Sequence, residues 1–205
     1  MLSLQTILPN TLELLKTLSA REEMQQMRLV GGTALALQYG HRQSVDLDFF
    51  GKMPSDQETI ADMLDGLGTY TTLNRSSHIW QIVVNSIKVD FVDYSRYQWI
   101  DQPICEQGVV LASDKDIAAM KINAIEGRGS KKDFIDIYLL LQHYSLAEIL
   151  NFYKQKYPDF SEYRALRSLV YFEDAEPQEM PTMFIADTWD SMKECIVEAV
   201  KQYQK

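Results

Sequence analysis

Apolar positions in this chain follow two rhythms, a helical one of three to four residues and a strand-like one of two. Residues 1–112 mix both; residues 113–205 carry almost only the helical one. Leu12, Leu15, Leu18 and Met24 mark the apolar side of a helix capped by Asn10 or Thr11 and running to about Gln26. Met27–Val30 reads as a short strand ending at Gly31-Gly32, and Thr33–Tyr39 as a helix closed by Gly40. Ser44–Phe50 alternates apolar and acidic residues, the period of a strand. Val45, Leu47 and Phe49 then face a core, and Asp46 and Asp48 share the opposite face. Ser55 or Asp56 opens a helix to about Leu67. Thr69–Leu73, Ile79–Val84 and Ile87–Val92 read as strands, with a tight turn at Asn85-Ser86. Gln102–Cys105 and Gly108–Leu111 form a further hairpin.

In the second half, Ser113 caps a helix Asp114–Glu126, and Asp114 and Asp116 suit its positive end. Gly127 to Gly129 ends it, and Ser130 caps a helix to His143. Ser145 opens another to about Lys156; Ser161–Phe172 and Asp187–Gln202 follow, with Glu173–Pro181 as a loop. The fold expected is α+β: a small mixed sheet with the Gly-Gly helix packed on it, followed by a helical C-terminal region. The division expected is 1–112 and 113–205.

A chain of 205 residues with 46% hydrophobic content buries a core, which excludes wholesale disorder. No run of about 18 apolar residues occurs, so no membrane span is expected. The opening MLSLQTILPN lacks a basic segment and a small-residue cleavage site, so no secretory signal is expected either. Cys105 and Cys195 stand far apart without a CxxC or Cys/His cluster, which disfavours zinc and a disulfide framework and points to a reducing cytoplasm. His41, His78 and His143 lack metal-ligand spacing. The aromatics of Tyr163–Phe172 and Trp189 fit helix packing better than base stacking.

The net charge of −9 does not attract nucleic acid non-specifically, so a polyanion needs a local basic patch. Lys115–Lys132 is the candidate: five cations (Lys115, Lys121, Arg128, Lys131, Lys132) stand against Asp116 and Glu126, a local +3.

Two carboxylates on one strand face repel unless a cation lies between them. Asp46 and Asp48 holding Mg²⁺ against phosphate oxygens would account for the pattern; an exposed strand with solvated acids is the alternative. Asp90 lies in a second acidic strand, Ile87–Asp93, sharing a face with Lys88 and Val92. Beside the first strand it completes a carboxylate triad of the kind in-line nucleotidyl transfer requires; Asp93, on the other face, is the competitor. Gly31-Gly32-Thr33, between strand and helix, lets a backbone approach phosphate closely, or is simply a turn. With Lys121 at 0° on its helix, Ile117, Ala124, Ile125 and Ala118 fall at about −40°, −60°, +40° and +60°. A cation centred in an apolar arc needs an anionic partner: a triphosphate, Asp46 or Asp136. A snorkelling lysine is the alternative. On the next helix Lys132, Asp133 and Asp136 share a side that is either solvent-facing or, through Asp136, an orienting partner for Lys121.

The blocks GGTALAL (31–37), SVDLDFF (44–50), IKVDF (87–91) and KINAIEGRGSKKDFIDIYLLL (121–141) resemble the nucleotidyltransferase AbiEii/AbiGii toxin family, a branch of the polymerase-β-like nucleotidyltransferases. The resemblance spans roughly residues 30–141. It implies a phosphate-cradling Gly31, Gly32 and Thr33, paired metal carboxylates Asp46 and Asp48, and a third carboxylate Asp90. It further implies a nucleotide-contacting Lys121 and a helical motif of Arg128, Lys132, Asp133 and Asp136, with Asp136 as the active-site acid. Mg²⁺ is the implied cofactor and an NTP the implied substrate. The helical region would complete the active site. Members of this family are usually the toxin of a two-gene system with a DNA-binding antitoxin, and better-understood relatives act on tRNA acceptor ends. The expectation is therefore transfer of a nucleoside monophosphate from NTP to a hydroxyl, on tRNA or another RNA. An NTP-binding module acting through a partner protein and a phosphoryl-transferring toxin are the alternatives.

Overall fold

The computed structural model describes residues 1–53 and 56–205. Two compact units emerge, Met1–Gln98 with Gln102–Ala112, and Ser113–Lys205 with Trp99–Asp101. No helix among the described residues is long and apolar enough to cross a membrane.

The first unit opens with helix α1 (Pro9–Ser19), shorter than expected. Proline at its first turn presets the helical φ, and a separate 3-10 turn, Glu22–Met24, takes up the stretch that periodicity assigned to the same helix. Strand β1 (Met27–Leu29) leads into α2 (Gly31–Tyr39), then β2 (Leu47–Gly51) and α3 (Gln57–Asp65). Of the two caps expected for α3, Asp56 is seen accepting from Glu58 N at 2.9 Å, and Ser55 lies outside the described residues. Strands β3 (Tyr70–Arg75), β4 (Ile79–Val84), β5 (Ile87–Asp93), β6 (Ile104–Glu106) and β7 (Val109–Leu111) follow.

All seven strands form one mixed sheet in the order β3-β4-β5-β2-β1-β7-β6. Asn85 and Ser86 both take positive φ (49° and 67°), the turn whose twist matches an antiparallel hairpin. Strand β2 pairs parallel to β5 and antiparallel to β1. Helix α2 is buried along Thr33–Leu37, as its Ala-Leu composition requires. Leu47, Phe49, Val89 and Phe91 fill the core beside it, each such side chain contributing about 1.5–3 kcal/mol.

One expectation fails here. Asp46 precedes β2 instead of lying in it, and Val45 is 41% exposed instead of facing the core. The segment before β2 is held by other contacts: Ser44 N donates to Thr6 O at 2.8 Å, and Thr33 Oγ1 bonds Ser44 Oγ and the Asp46 carbonyl. Alternation therefore begins only at Leu47.

The second unit consists of α4 (Asp114–Gly127), α5 (Lys131–Leu141), α6 (Leu146–Lys156), α7 (Glu162–Leu169) and α8 (Trp189–Tyr203). Helix α4 packs against α5, α6 and α7, and α5 against α8. Ser113 caps α4 by accepting from Asp116 N. The residues Trp99–Asp101 belong to this unit because Asp116 captures them: Ile100 N and Asp101 N donate to its carboxylate at 2.9 and 3.2 Å. Lys156 Nζ lies 2.6 Å from Asp116 Oδ1 and 4.5 Å from the Trp99 ring centroid, and both charged side chains are wholly buried. A buried ion pair needs such added partners to offset desolvation. Phe134, Phe172 and Trp189 form an aromatic cluster, and Lys131, also buried, donates through Nζ to the carbonyls of Glu176 and Gln178.

Candidate active site

Strand register places two of the three candidate acids side by side. Asp48 on β2 pairs with Asp90 on β5, and Asp90 pairs in turn with Gln81 on β4. Register partners project to the same sheet face, so Gln81, Asp90 and Asp48 form a polar row across three strands. Asn74 of β3 pairs with Gln81 and extends it. Gln81 Nε2 donates to Asp90 Oδ2 at 2.8 Å, and Lys88 Nζ lies 2.5 Å from the same oxygen. Asp90 Oδ1 is buried with no hydrogen-bond partner among the described residues. A buried carboxylate oxygen left in this way costs free energy that a cation or donor would recover.

Asp46 does not join them as a ready-made trio. Among the described residues no three His, Cys, Asp or Glu side chains are grouped for a metal ion. Asp90 has one oxygen held by Lys88 and Gln81, and Asp46 is tied by its carbonyl to Thr33. Asp93 is committed elsewhere, accepting from Ser95 N at 3.1 Å with His78 Nδ1 at 3.5 Å. Burial opposes its charge, but those hydrogen bonds and His78 hold its carboxyl below the usual range.

The glycine turn abuts this row. Val30 N donates to the Asp48 carbonyl at 2.8 Å, bringing the start of α2 beside β2. Gly31 takes φ +68°, and a Cβ there would stand 2.7 Å from Asp48 Oδ2. A Cβ on Gly32 would stand 2.1 Å from Arg42 Nη2. Arg42 is 1% exposed, with Nη1 donating to Gln43 O at 3.0 Å. A guanidinium buried against a glycine turn at a helix start is chemically suited to an anion. Sequence reasoning missed Arg42, because a lone arginine in a loop has no periodic signature. Gly32→Ala is expected to displace that guanidinium and destabilise the chain by about 1–3 kcal/mol, as overpacking does. Thermal denaturation of the variant checks this, with Gly127→Ala, an open position without a positive φ, as the control for glycine replacement.

The helical unit holds a second cluster. Lys121 Nζ lies 2.8 Å from Asp133 Oδ1 and 2.6 Å from Asp136 Oδ2, with its side chain 6% exposed. Of the anionic partners open to Lys121, the structure supplies Asp136 and adds Asp133. The solvent-face alternative for Asp133 and Asp136 is therefore overturned, since both are fully buried. Arg128 Nε and Ser130 Oγ also donate to Asp133 Oδ2, at 2.9 and 2.7 Å. Burial alone would raise the Asp133 carboxyl, but Lys121 and Arg128 outweigh it and hold the group well below the ordinary carboxylate range. Lys132 is exposed.

The expected basic patch is corrected by the same contacts. Lys115 pairs with Asp101 at 2.8 Å, Lys121 and Arg128 bond carboxylates, and Lys131 is buried on backbone carbonyls. Most of that positive charge is spent inside the unit.

Comparison with known proteins bears on the chain as a whole. The family model described as nucleotidyl transferase AbiEii toxin, type IV toxin–antitoxin system, matches residues 13–202. An uncharacterised protein of Aquifex aeolicus is 38% identical over 181 residues, covering 85% of this chain and 86% of that protein. JHP933 of Helicobacter pylori shares the fold with a TM-score of 0.57 at 16% identity, over 98% of this chain and 90% of that one. MenT4, a nucleotidyltransferase toxin of Mycobacterium tuberculosis, gives 0.56 at 13% identity, over 91% and 78%. The antibiotic-resistance factor ANT(2'')-Ia gives 0.54 at 14%, over 75% and 91%. With nearly its whole length matched, this chain belongs to the AbiEii nucleotidyltransferase toxin family.

Proposed function

We propose that the chain transfers a nucleoside monophosphate from an NTP to a hydroxyl acceptor, with pyrophosphate leaving. The observation that carries this reading is the register pair Asp48–Asp90 beside the Gly31–Thr33 turn, with Asp90 Oδ1 buried and unsatisfied. An all-oxygen acidic set suits Mg²⁺, and that orphaned oxygen is where the residues fit it. Asp48 and Asp90 would hold it, with Asp46, which is not grouped with them among the described residues, as the third carboxylate, and it would supply charge neutralisation at the triphosphate.

The chain's own groups do the rest. Gly31, Gly32 and Thr33 present backbone N–H groups to phosphate, with Arg42 behind them. The acceptor oxygen bonds to the α-phosphorus as the bond to the β-phosphate oxygen breaks. Asp90 takes the hydroxyl proton. Within the helical unit Arg128 and Lys132 are the candidates for nucleotide contact, and Lys121 and Asp136 are positioning residues, the lysine fixing the Asp133 and Asp136 carboxylates. An RNA such as tRNA is the acceptor we favour, in the cytoplasm, with a cognate antitoxin as protein partner.

Incubation with total RNA and NTPs labelled at the α- or γ-phosphate tests this. α-Label in product with γ-label released as pyrophosphate is expected; γ-label in product would assign phosphoryl transfer instead. One observation favours a second reading, NTP binding without transfer: Lys88 already neutralises Asp90. NTP binding with no labelled acceptor across RNAs and proteins would select it.

A further inference from the structure

The C-terminal turn of α4, helix α7 and the residues just after it enclose a cleft of about 400 Å³. All its lining residues belong to the helical unit. Arg128, Arg164 and Arg167 line it with Tyr163 and Tyr171. These tyrosines are 69% and 49% exposed, so their rings do not serve the packing that periodicity suggested; Phe172 and Trp189 alone do. The Arg167 guanidinium lies 5.7 Å from the Tyr163 ring centroid and donates to its hydroxyl at 3.4 Å. No carboxylate pairs with Arg167 among the described residues.

Glu126 forms part of the wall. Its side chain is 6% exposed, and its Oε2 lies 2.9 Å from Arg164 Nη2. Its Oε1 is buried with no hydrogen-bond partner among the described residues. The cleft thus offers exposed guanidinium groups, two exposed tyrosine rings, one of them carrying Arg167 over it, and one unsatisfied acceptor, with Asp174 as a carboxylate in the same lining. Guanidinium forks match phosphate, aromatic faces stack on bases, and a buried acceptor wants an N–H or O–H. A phosphate ion alone would use the first and leave the other two idle. In a chain of net charge −9 a nucleic acid is not held by the overall field, so a local set of this kind must do it.

We propose that this cleft binds a nucleotide unit, either one residue of a single strand or a free nucleotide. Arg164 and Arg167 take the phosphate, Tyr163 and Tyr171 flank the base, and a base-edge or ribose donor meets Glu126 Oε1. This goes beyond the transfer reading and needs no step of it.

The test uses the full chain carrying Asp48→Asn, without NTP, so that transfer plays no part in the result. Fluorescence anisotropy follows a labelled oligoadenylate of about ten residues, an abasic strand of equal length, and AMP as competitor. The adenylate strand is expected to bind at least about tenfold tighter than the abasic one. Adding Arg167→Ala with Tyr163→Ala, both exposed positions, is expected to remove at least about tenfold of that affinity. Displacement by AMP that the double variant abolishes supports a free nucleotide as occupant; binding of the strand without displacement supports the strand. Equal affinity for the abasic strand, or unchanged affinity in the double variant, overturns the proposal.

Discussion

Asp48→Asn is expected to lower nucleotidyl transfer by about a thousandfold while leaving the chain folded. A carboxylate that positions charge against a reacting triphosphate is worth several kcal/mol in the transition state, and each 1.36 kcal/mol is about a decade in rate. Asparagine keeps the shape and the backbone carbonyl that accepts from Val30 N, and removes one negative charge. Asp48 and Asp90 are register partners, and like charges directly opposite on neighbouring strands are destabilising. The variant should therefore melt at the same temperature or slightly above it, gaining about 0.2–1 kcal/mol. Calorimetry alongside the α-label assay gives both readouts. Undiminished transfer, or a collapse in melting temperature, would remove Asp48 from its assigned role.

Lys121→Met carries the second large effect, and it falls on stability. The amine serves two buried carboxylates, and removing one partner of a buried pair costs about 3–5 kcal/mol. Combining it with Asp136→Leu should recover most of that loss, since a buried pair replaced by apolar groups is often neutral. Asp133 keeps Arg128 and Ser130 in the double variant. Denaturant unfolding of both variants measures the difference; a loss that persists undiminished would show that the pair is not coupled. The same cluster predicts an acid limb. The folded Asp133 carboxyl is depressed below its ordinary value of 3.8, so its contribution is present above that value. It erodes as pH falls through that value toward the depressed folded one, when the group protonates. Asp133→Asn should flatten the stability profile in that acidic window and leave its slope near neutrality alone.

The α4 stripe was legible because helical periodicity is local: one unmatched cation at the centre of an apolar arc identifies Lys121 without knowledge of its neighbours. The same holds for the Asn85-Ser86 turn and the Ser113 cap. What stayed hidden needed long-range pairing. Gln81 and Asn74 enter the acidic row only through strand register, which no single segment encodes. Arg42 acquires meaning only when Gly32 is folded over it. Lys131 and Lys132 are indistinguishable as adjacent letters, yet one is buried on the Glu176 and Gln178 carbonyls and the other is exposed. Val45 departs from the alternating pattern because the strand starts only at Leu47, the residues ahead of it being claimed by α2 and the N-terminal segment.

Asp116 has a practical corollary for anyone dissecting the chain. Its carboxylate draws on the N–H groups of residues 100 and 101 and on the Lys156 amine. The helical unit is therefore sewn from two stretches of polypeptide that are not contiguous. A recombinant piece starting at Ser113 would strip that carboxylate of two donors and Lys156 of its Trp99 face. An excision respecting the stitching has to begin ahead of Trp99, or supply that short stretch in trans as a peptide.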